Sequence, residues 1–192
     1  MTPREFLEIL HVAERLKDTP RHCTTTKRRT ESVAEHSWRV SLMALLLKGE
    51  FPDADMDKVV KMCLVHDLGE CFTGDIPTFV KTDADRDVED SLLSRWVRSL
   101  PPEVAGELVE LFREMDAQQT VEAKIYKSLD KLEALIQHNE SPLDTWSENE
   151  YGLNKVYAFD TVAFSGWLTG LRKEILEDTL AKIADENPDF NL

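Results

Sequence analysis

The chain has 192 residues, and 42% of them are hydrophobic, which suits a folded domain with a real core and excludes a disordered chain. Its formal net charge of −14 argues against a nucleic-acid polymer or an anionic membrane as the main partner, because both favour basic surfaces. Three cysteines without a CxxC spacing, and the lack of a signal-like or long apolar run, predict a reduced protein of the cytoplasm.

Helical periodicity dominates the sequence, and no segment alternates convincingly in the manner of a strand. Thr2 can cap a first helix that opens with Pro3, and apolar residues then recur at helical spacing. Residues 18–31 break the helical pattern. A second helix starts at Thr30 or Ser32, and the latter would complete a capping box with the glutamate three residues on.

Four more helices are expected before residue 140, because apolar residues recur there at helical spacing. Their predicted ranges are about 56–69, 85–99, 101–115 and 120–139. On the first of these helices, the residues expected to face inward are Met56, Val59, Val60, Cys63 and Leu64. Gly74 and Pro77 lie between the first and second helices of this set and predict an ordered loop.

The remainder of the chain is predicted to form an irregular stretch and then a last helix over about 160–185. No repeat, low-complexity tract or linker divides the sequence. We therefore predict an all-α fold in a single domain over residues 1–192, with a core of about 1–140 and a C-terminal helical extension of about 141–192.

Four residues form a candidate metal site. His66 and Asp67 are adjacent near the end of a predicted helix, where both side chains can reach one ion. His36 lies in the first turns of the second helix, and Asp130 interrupts an apolar stripe in which a carboxylate needs a partner. Taken singly, each could be an ordinary residue. Together they form a mixed nitrogen and oxygen set that suits a catalytic transition metal better than a structural zinc site.

Two further carboxylates are candidates for acid–base chemistry. Glu70 lies three residues after Asp67 on the same predicted helical face, where it could exchange a proton with a metal-bound water or a leaving group. Asp75 follows Gly74 in the constrained loop and could fold over the metal. The alternatives are a solvated glutamate at a helix end and an ordinary turn aspartate.

Cations are concentrated before the second helix, and one of them could grip a phosphate. The basic residues of this stretch are Arg21, Lys27, Arg28 and Arg29. Lys81 is a further candidate of the same kind. Three histidines without ligand-like neighbours in the sequence are assigned structural roles: His11, His22 and His138.

The order of His36, His66–Asp67 and Asp130 resembles the H…HD…D signature of the HD-domain metal-dependent phosphohydrolases. The blocks ESVAEHSWRV, VHDLGECFTGDIPT and SLDKLEALI resemble the 5′-deoxyribonucleotidase branch of that family. The likeness runs from the first helix to about residue 140. It implies an all-α helical bundle with one buried divalent ion, such as Co, Mn, Mg, Fe, Ni or Zn, held by these four residues.

The resemblance also implies an activity, which is hydrolysis of the 5′-phosphate of a nucleoside monophosphate by a water-derived nucleophile, in a homodimer. Glu70 falls on the family's catalytic glutamate, and Asp75 falls on an aspartate that contacts substrate and is needed for activity. His36, Thr78 and Arg21 fall on the substrate site. His22 stands where the bacterial nucleotidase has a tryptophan, which is a departure from the pattern.

Two alternatives remain open from the sequence. The substrate could be another small phosphate ester, such as a cyclic nucleotide or a nucleoside triphosphate. The chain could also be a non-catalytic module that binds a metal or a nucleotide.

Overall fold

Helices make up almost all of the regular structure in the computed structural model, which describes residues 1–76 and 80–186. The α-helices are α1 (Pro3–Ala13), α2 (Val33–Leu46), α3 (Met56–Val65), α4 (Glu70–Thr73), α5 (Asp83–Ser99), α6 (Pro102–Ala117), α7 (Val121–Glu140), α8 (Glu148–Val156), α9 (Phe159–Val162) and α10 (Gly166–Glu186). Short 3₁₀ turns cover Glu14–Lys17 and Leu143–Thr145. The all-α prediction is confirmed.

The core forms where α2, α3 and α7 pack against one another. Each helix contributes a stripe of aliphatic side chains to it, and the most deeply buried members are Val40, Val59, Met62, Leu129 and Leu132. Burying one such side chain stabilises the fold by about 1.5–3 kcal/mol. The residues that the sequence placed at one candidate site lie at ends or inner faces of these three helices, so the core fixes their relative positions.

Side-chain caps define where several helices begin. Thr2 caps α1 and Ser32 caps α2, each in a reciprocal capping box with the glutamate three residues on. Asp55 caps α3 and Thr120 caps α7 through single hydrogen bonds to backbone amides. These starts agree with the sequence predictions, because a cap is a local interaction that the sequence encodes directly.

A two-stranded antiparallel hairpin interrupts the helical chain, which corrects the prediction that no strand is present. Strand β1 (Pro20–Thr24) pairs with β2 (Thr30–Ser32), and the register is irregular within β1. The turn between them holds Arg28 in the left-handed region at φ 62°. Strands this short, with an irregular register, show no alternation of apolar and polar residues in the sequence.

Other element boundaries also differ from the predictions. Helix α3 ends at Val65 rather than near residue 69, and a separate short helix, α4, occupies part of the predicted loop. The stretch after residue 141 was predicted to be irregular, but it contains α8. The predicted last helix is divided into α9 and α10.

Some apolar side chains face solvent instead of the core. Leu64 was expected to face inward on α3 but is 58% exposed, because α2 and α7 pack on the opposite side of that helix. The apolar residues Phe6, Leu7 and Leu10 of α1 are also exposed, and α1 contributes no buried residue. Within the described residues, no helix has both the length and the apolar character that crossing a membrane requires.

Candidate metal centre

His36 is completely buried one turn into α2, where the Ser32 cap fixes the start of the helix. Its Nδ1 atom contacts a carboxylate oxygen of Glu133 on α7, to which it donates a hydrogen bond. Because the proton is on Nδ1, the lone pair of the neutral ring is on Nε2. That atom faces inward, 3.2 Å from Oδ1 of Asp130.

His66 is arranged in the same way at the C-terminal end of α3. Its Nδ1 donates to the carbonyl oxygen of Cys63 at 2.8 Å, so Nε2 again carries the lone pair. This Nε2 lies 3.1 Å from Oδ2 of Asp67 and 3.6 Å from Oδ1 of Asp130. Since the helix ends at Val65, Asp67 can turn toward the same point as its neighbour.

Four acceptor atoms therefore converge on one point from three parts of the chain. The Nε2 atom of His36 is 3.8 Å from Oδ2 of Asp67, so each histidine nitrogen lies near both carboxylates. Among the described residues, neither Nε2 of His66 nor Oδ2 of Asp67 has a hydrogen-bond partner, although both are buried. Two imidazole lone pairs and two carboxylates repel one another unless a cation lies between them. The residues present therefore fit a divalent metal ion with nitrogen and oxygen ligands.

The electrostatics of the cluster favour positive charge. Burial alone would raise the pKa of Asp67, but His66 outweighs burial and lowers it to about 2. Lys127 and the two histidines hold the pKa of Asp130 well below its usual range in spite of burial. Asp67 and Asp130 in turn raise the pKa of His66 to about 10, against the effect of burial. A proton and a divalent ion therefore compete for the same nitrogen atom.

Glu70 and Asp75 lie beside this cluster as buried or half-buried acids. Burial, together with the carboxylates of Asp67 and Asp75, raises the pKa of Glu70 to about 9. Burial also raises the pKa of Asp75, and Arg21 opposes that shift. Oε2 of Glu70 is buried and has no hydrogen-bond partner in the described part of the chain. These surroundings therefore favour the protonated form of Glu70.

Arg21 is the one member of the basic stretch that reaches the cluster. Its Nε donates to Oε2 of Glu31 at 3.2 Å, and its Nη1 lies 4.0 Å from Oδ2 of Asp67. Arg28 instead pairs with Asp144, and Arg29 pairs with Glu35, both at the exposed surface. Thr78, which the resemblance places at the substrate site, lies outside the described residues.

A cavity of about 600 Å³ opens beside the cluster, and its walls carry five cations as well as five acids. The site residues that line it are Arg21, Asp67, Glu70, Asp75 and Asp130. The other cations that line it are Lys81, Arg86, Lys127 and Lys131. Leu153 and Tyr157 add an apolar side. The cavity therefore offers cations for an anionic group and apolar contacts for the rest of a ligand.

Sequence reasoning missed Glu133, which holds the ring of His36. It is completely buried on α7, one turn after Asp130 on the same helical face. A second acid three residues on, inside the same apolar stripe, was the available signal. A carboxylate that accepts a hydrogen bond from a ligating histidine orients the ring and makes its other nitrogen a better ligand.

Comparison with known proteins shows the family of the chain. A family model described as HD domain matches residues 13–166. The 5′-deoxynucleotidase HDDC2 of Bos taurus is 33% identical over 141 residues, which cover 71% of this chain and 68% of that protein. The 5′-deoxynucleotidase hdd1 of Schizosaccharomyces pombe is 31% identical over 140 residues, covering 69% and 68%.

A solved structure of similar fold supports the helical architecture. A predicted metal-dependent phosphohydrolase from Magnetospirillum magnetotacticum superposes with a TM-score of 0.79 at 25% identity. The superposition covers 93% of this chain and 95% of that one. The likeness therefore includes the C-terminal helices α8–α10, which the sequence blocks did not reach.

Proposed function

Since this chain belongs to the HD-domain family, we propose that it is a metal-dependent phosphomonoesterase that removes the 5′-phosphate from deoxyribonucleoside or ribonucleoside monophosphates. The observation that carries the proposal is the convergence of two imidazole nitrogens and two carboxylates beside a cavity that also holds five cations. The relatives named 5′-deoxynucleotidase support the same substrate class.

The ion would be held by His36, His66, Asp67 and Asp130. When bound, it supplies Lewis-acid chemistry, because a divalent ion polarises phosphoryl oxygens and lowers the pKa of a bound water to about 7. The protein contributes the orientation of its ligands. Glu133 and the carbonyl of Cys63 fix the protonated nitrogen of each histidine ring, so the other nitrogen faces the ion.

Glu70 is the acid that we propose for the leaving group. Breaking the bond between phosphorus and the 5′-oxygen leaves an alkoxide, which needs a proton at that oxygen. Burial and the neighbouring carboxylates raise the pKa of Glu70, which favours the protonated form that a proton donor needs. Asp75, which lines the same cavity, is proposed to contact the substrate and assist this transfer.

Arg21 is the residue that we propose to bind the phosphate. Its guanidinium group lies between the buried acids and the cavity, and guanidinium matches phosphate oxygens in a bidentate way. By resemblance, His36 and Thr78 complete the substrate contacts. The side chains of Leu153 and Tyr157 line the cavity and are proposed to contact the nucleoside.

Phosphate release from a panel of substrates tests the activity. The panel contains deoxyribonucleoside and ribonucleoside 5′-monophosphates, a 3′-monophosphate, a cyclic nucleotide and a triphosphate, each with Co²⁺, Mn²⁺ or Mg²⁺. We expect release from the 5′-monophosphates and none from the 3′-monophosphate. Turnover of only the cyclic nucleotide or only the triphosphate would mean that the enzyme hydrolyses a different phosphate ester. Nucleotide binding without turnover under every metal would contradict an enzyme.

We also propose that the protein acts as a homodimer in the cytoplasm. An exposed apolar stripe on α2 supports self-association, because a 63% exposed tryptophan is unusual on a monomer surface. The stripe consists of Trp38, Leu42, Leu45 and Leu46, which share one face of the helix. Burying it against a second copy would remove this surface from water.

A further inference from the structure

A second cluster of ligand-type side chains lies on the wall of the same cavity. Oε1 of Glu150 is 3.3 Å from Nε2 of His22 and 3.3 Å from Nε2 of His138. Sγ of Cys23 is 3.3 Å from Nε2 of His138 and 3.8 Å from Nε2 of His22. Neither histidine was predicted to be a ligand, because His22, His138 and Glu150 come from separate parts of the chain.

The hairpin brings two adjacent residues to this cluster. Successive side chains of a regular strand point to opposite faces, but the register is irregular within β1, so His22 and Cys23 approach the same point. The carbonyl oxygen of Thr24 accepts from Nε2 of Gln137 at 2.7 Å and from Oγ of Ser141 at 2.6 Å. These bonds fasten β1 to the end of α7, where His138 lies.

The other two side chains are also held in place. Nδ1 of His138 donates to Oδ1 of Asn154 at 3.1 Å, so Nε2 of the neutral ring carries the lone pair that faces the cluster. Oε2 of Glu150 accepts from the backbone amide of Ser147 in the capping box of α8. Its second oxygen, Oε1, is thereby directed at both histidines.

Hydrogen bonds alone satisfy this arrangement poorly. An ionised Glu150 only accepts, so both His22 and His138 would have to be protonated on Nε2 to donate to the same oxygen atom. His138 is buried and already donates from Nδ1, so its ring would then carry a positive charge, with the ring centroid of His22 5.3 Å away. One cation in place of the two protons satisfies all four atoms at once.

The distances match the coordination sphere of a small tetrahedral ion. With bonds of about 2.0–2.3 Å to nitrogen, oxygen and sulfur, two ligands of one tetrahedral ion lie roughly 3.3–3.7 Å apart. The distances from the two histidine Nε2 atoms to Sγ of Cys23 and Oε1 of Glu150 run from 3.3 to 3.8 Å, and the ligand atoms of His22, Cys23 and His138 all lie within 4.8 Å of one another. A thiolate and a carboxylate together also neutralise a divalent charge, so the filled site would be neutral.

We propose that His22, Cys23, His138 and Glu150 form a second cation site, of the closed zinc type, in addition to the HD-domain centre. Four protein ligands leave no open position, so the role is structural. The ion would join β1 to α7 and α8, and would thereby hold Arg21, the residue before His22, at the cavity wall. This site stands independently of the proposed enzymatic activity.

Cobalt titration with absorption spectroscopy tests the proposal. The reduced chain is stripped with a chelator and titrated with Co²⁺, and a ligand with sulfur gives a charge-transfer band in the near ultraviolet that nitrogen and oxygen ligands do not. We expect two equivalents of bound Co²⁺ and this band in the wild type. Cys23→Ser should lose the band and one equivalent, whereas Asp67→Ala should lose the other equivalent and keep the band.

Cys71→Ser serves as the control, because Cys71 is equally buried but belongs to a separate apolar cluster, and it should keep both equivalents and the band. His138→Gln provides a second variant if Cys23→Ser does not fold, as judged by circular dichroism. A single equivalent without the band in the wild type would overturn the proposal, and so would a band that survives Cys23→Ser. Neither result would decide whether the protein releases phosphate, because that activity is measured separately.

Discussion

At the scale of single residues, the metal centre depends on which nitrogen of each histidine carries its proton. Glu133 decides this for His36 through a buried hydrogen bond, and the carbonyl of Cys63 decides it for His66. Sequence reasoning predicted the four ligands from the adjacent His66–Asp67 pair, from an acid within an apolar stripe and from the family resemblance. It missed Glu133 because the available signal, a second acid in the apolar stripe of α7, does not say which side chain of another helix that acid contacts.

Glu133→Gln should weaken metal binding at the His36 centre by about 10–100-fold, because the ring loses its carboxylate acceptor. A titration with Co²⁺ measures the affinity, and circular dichroism checks the fold. Glu140→Gln is a matched control on the same helix, since Glu140 pairs with Arg39 at the surface and should leave affinity unchanged. Equal affinity of Glu133→Gln and the wild type would show that this carboxylate does not orient the ligand.

Glu70→Gln should retain its metal and lose about 10²-fold or more in turnover, because the leaving oxygen loses its proton donor. In the wild type, turnover should fall on the alkaline side as Glu70 ionises. A bound cation neutralises Asp67 and so lowers the pKa of Glu70, which places this limb below about 9. The pH profile of phosphate release measures it, and an unchanged profile in Glu70→Gln would refute the role.

At the scale of elements, helix caps explain which helix boundaries could be predicted from the sequence. The starts of α1, α2 and α7 follow from Thr2, Ser32 and Thr120, because each cap bonds to an amide three residues on. The hairpin was not predicted, because its support is tertiary. The β1 carbonyl of Thr24 bonds to Gln137 and Ser141, residues more than one hundred positions away.

Ser32→Ala should reduce the free energy of unfolding by about 1 kcal/mol, because α2 loses the hydroxyl that caps its N-terminus. Denaturant titration measures the change. Ser91→Ala is the control, since Ser91 is exposed in the middle of α5 and should shift stability by no more than about 0.5 kcal/mol. Equal effects of the two substitutions would mean that the cap does not stabilise α2.

At the scale of the whole molecule, the pattern of exposure points to self-association. Helix α2 buries one face in the core and presents the stripe of Trp38, Leu42, Leu45 and Leu46 on the other. The sequence showed an almost continuous apolar run here, and only the packing against α3 and α7 reveals which side stays exposed. The same packing explains why Leu64 was misplaced.

Leu45→Glu should convert the proposed dimer to a monomer, because a charge in the stripe would have to be buried without a partner. Light scattering with size-exclusion chromatography reports the mass. Leu180→Glu is the control, as Leu180 is an exposed leucine on the distant helix α10 and should leave the dimer intact. A wild-type mass of one chain at all concentrations would refute the dimer.

The account depends most on one divalent ion binding where α2, α3 and α7 meet, and Asp67→Ala tests this directly. Metal content and phosphate release are measured on the wild type and on the variant, with circular dichroism to confirm that both are folded. We predict that the variant loses one equivalent of metal and loses turnover with it. A folded Asp67→Ala protein with the wild-type metal content, or with wild-type turnover, would contradict the account.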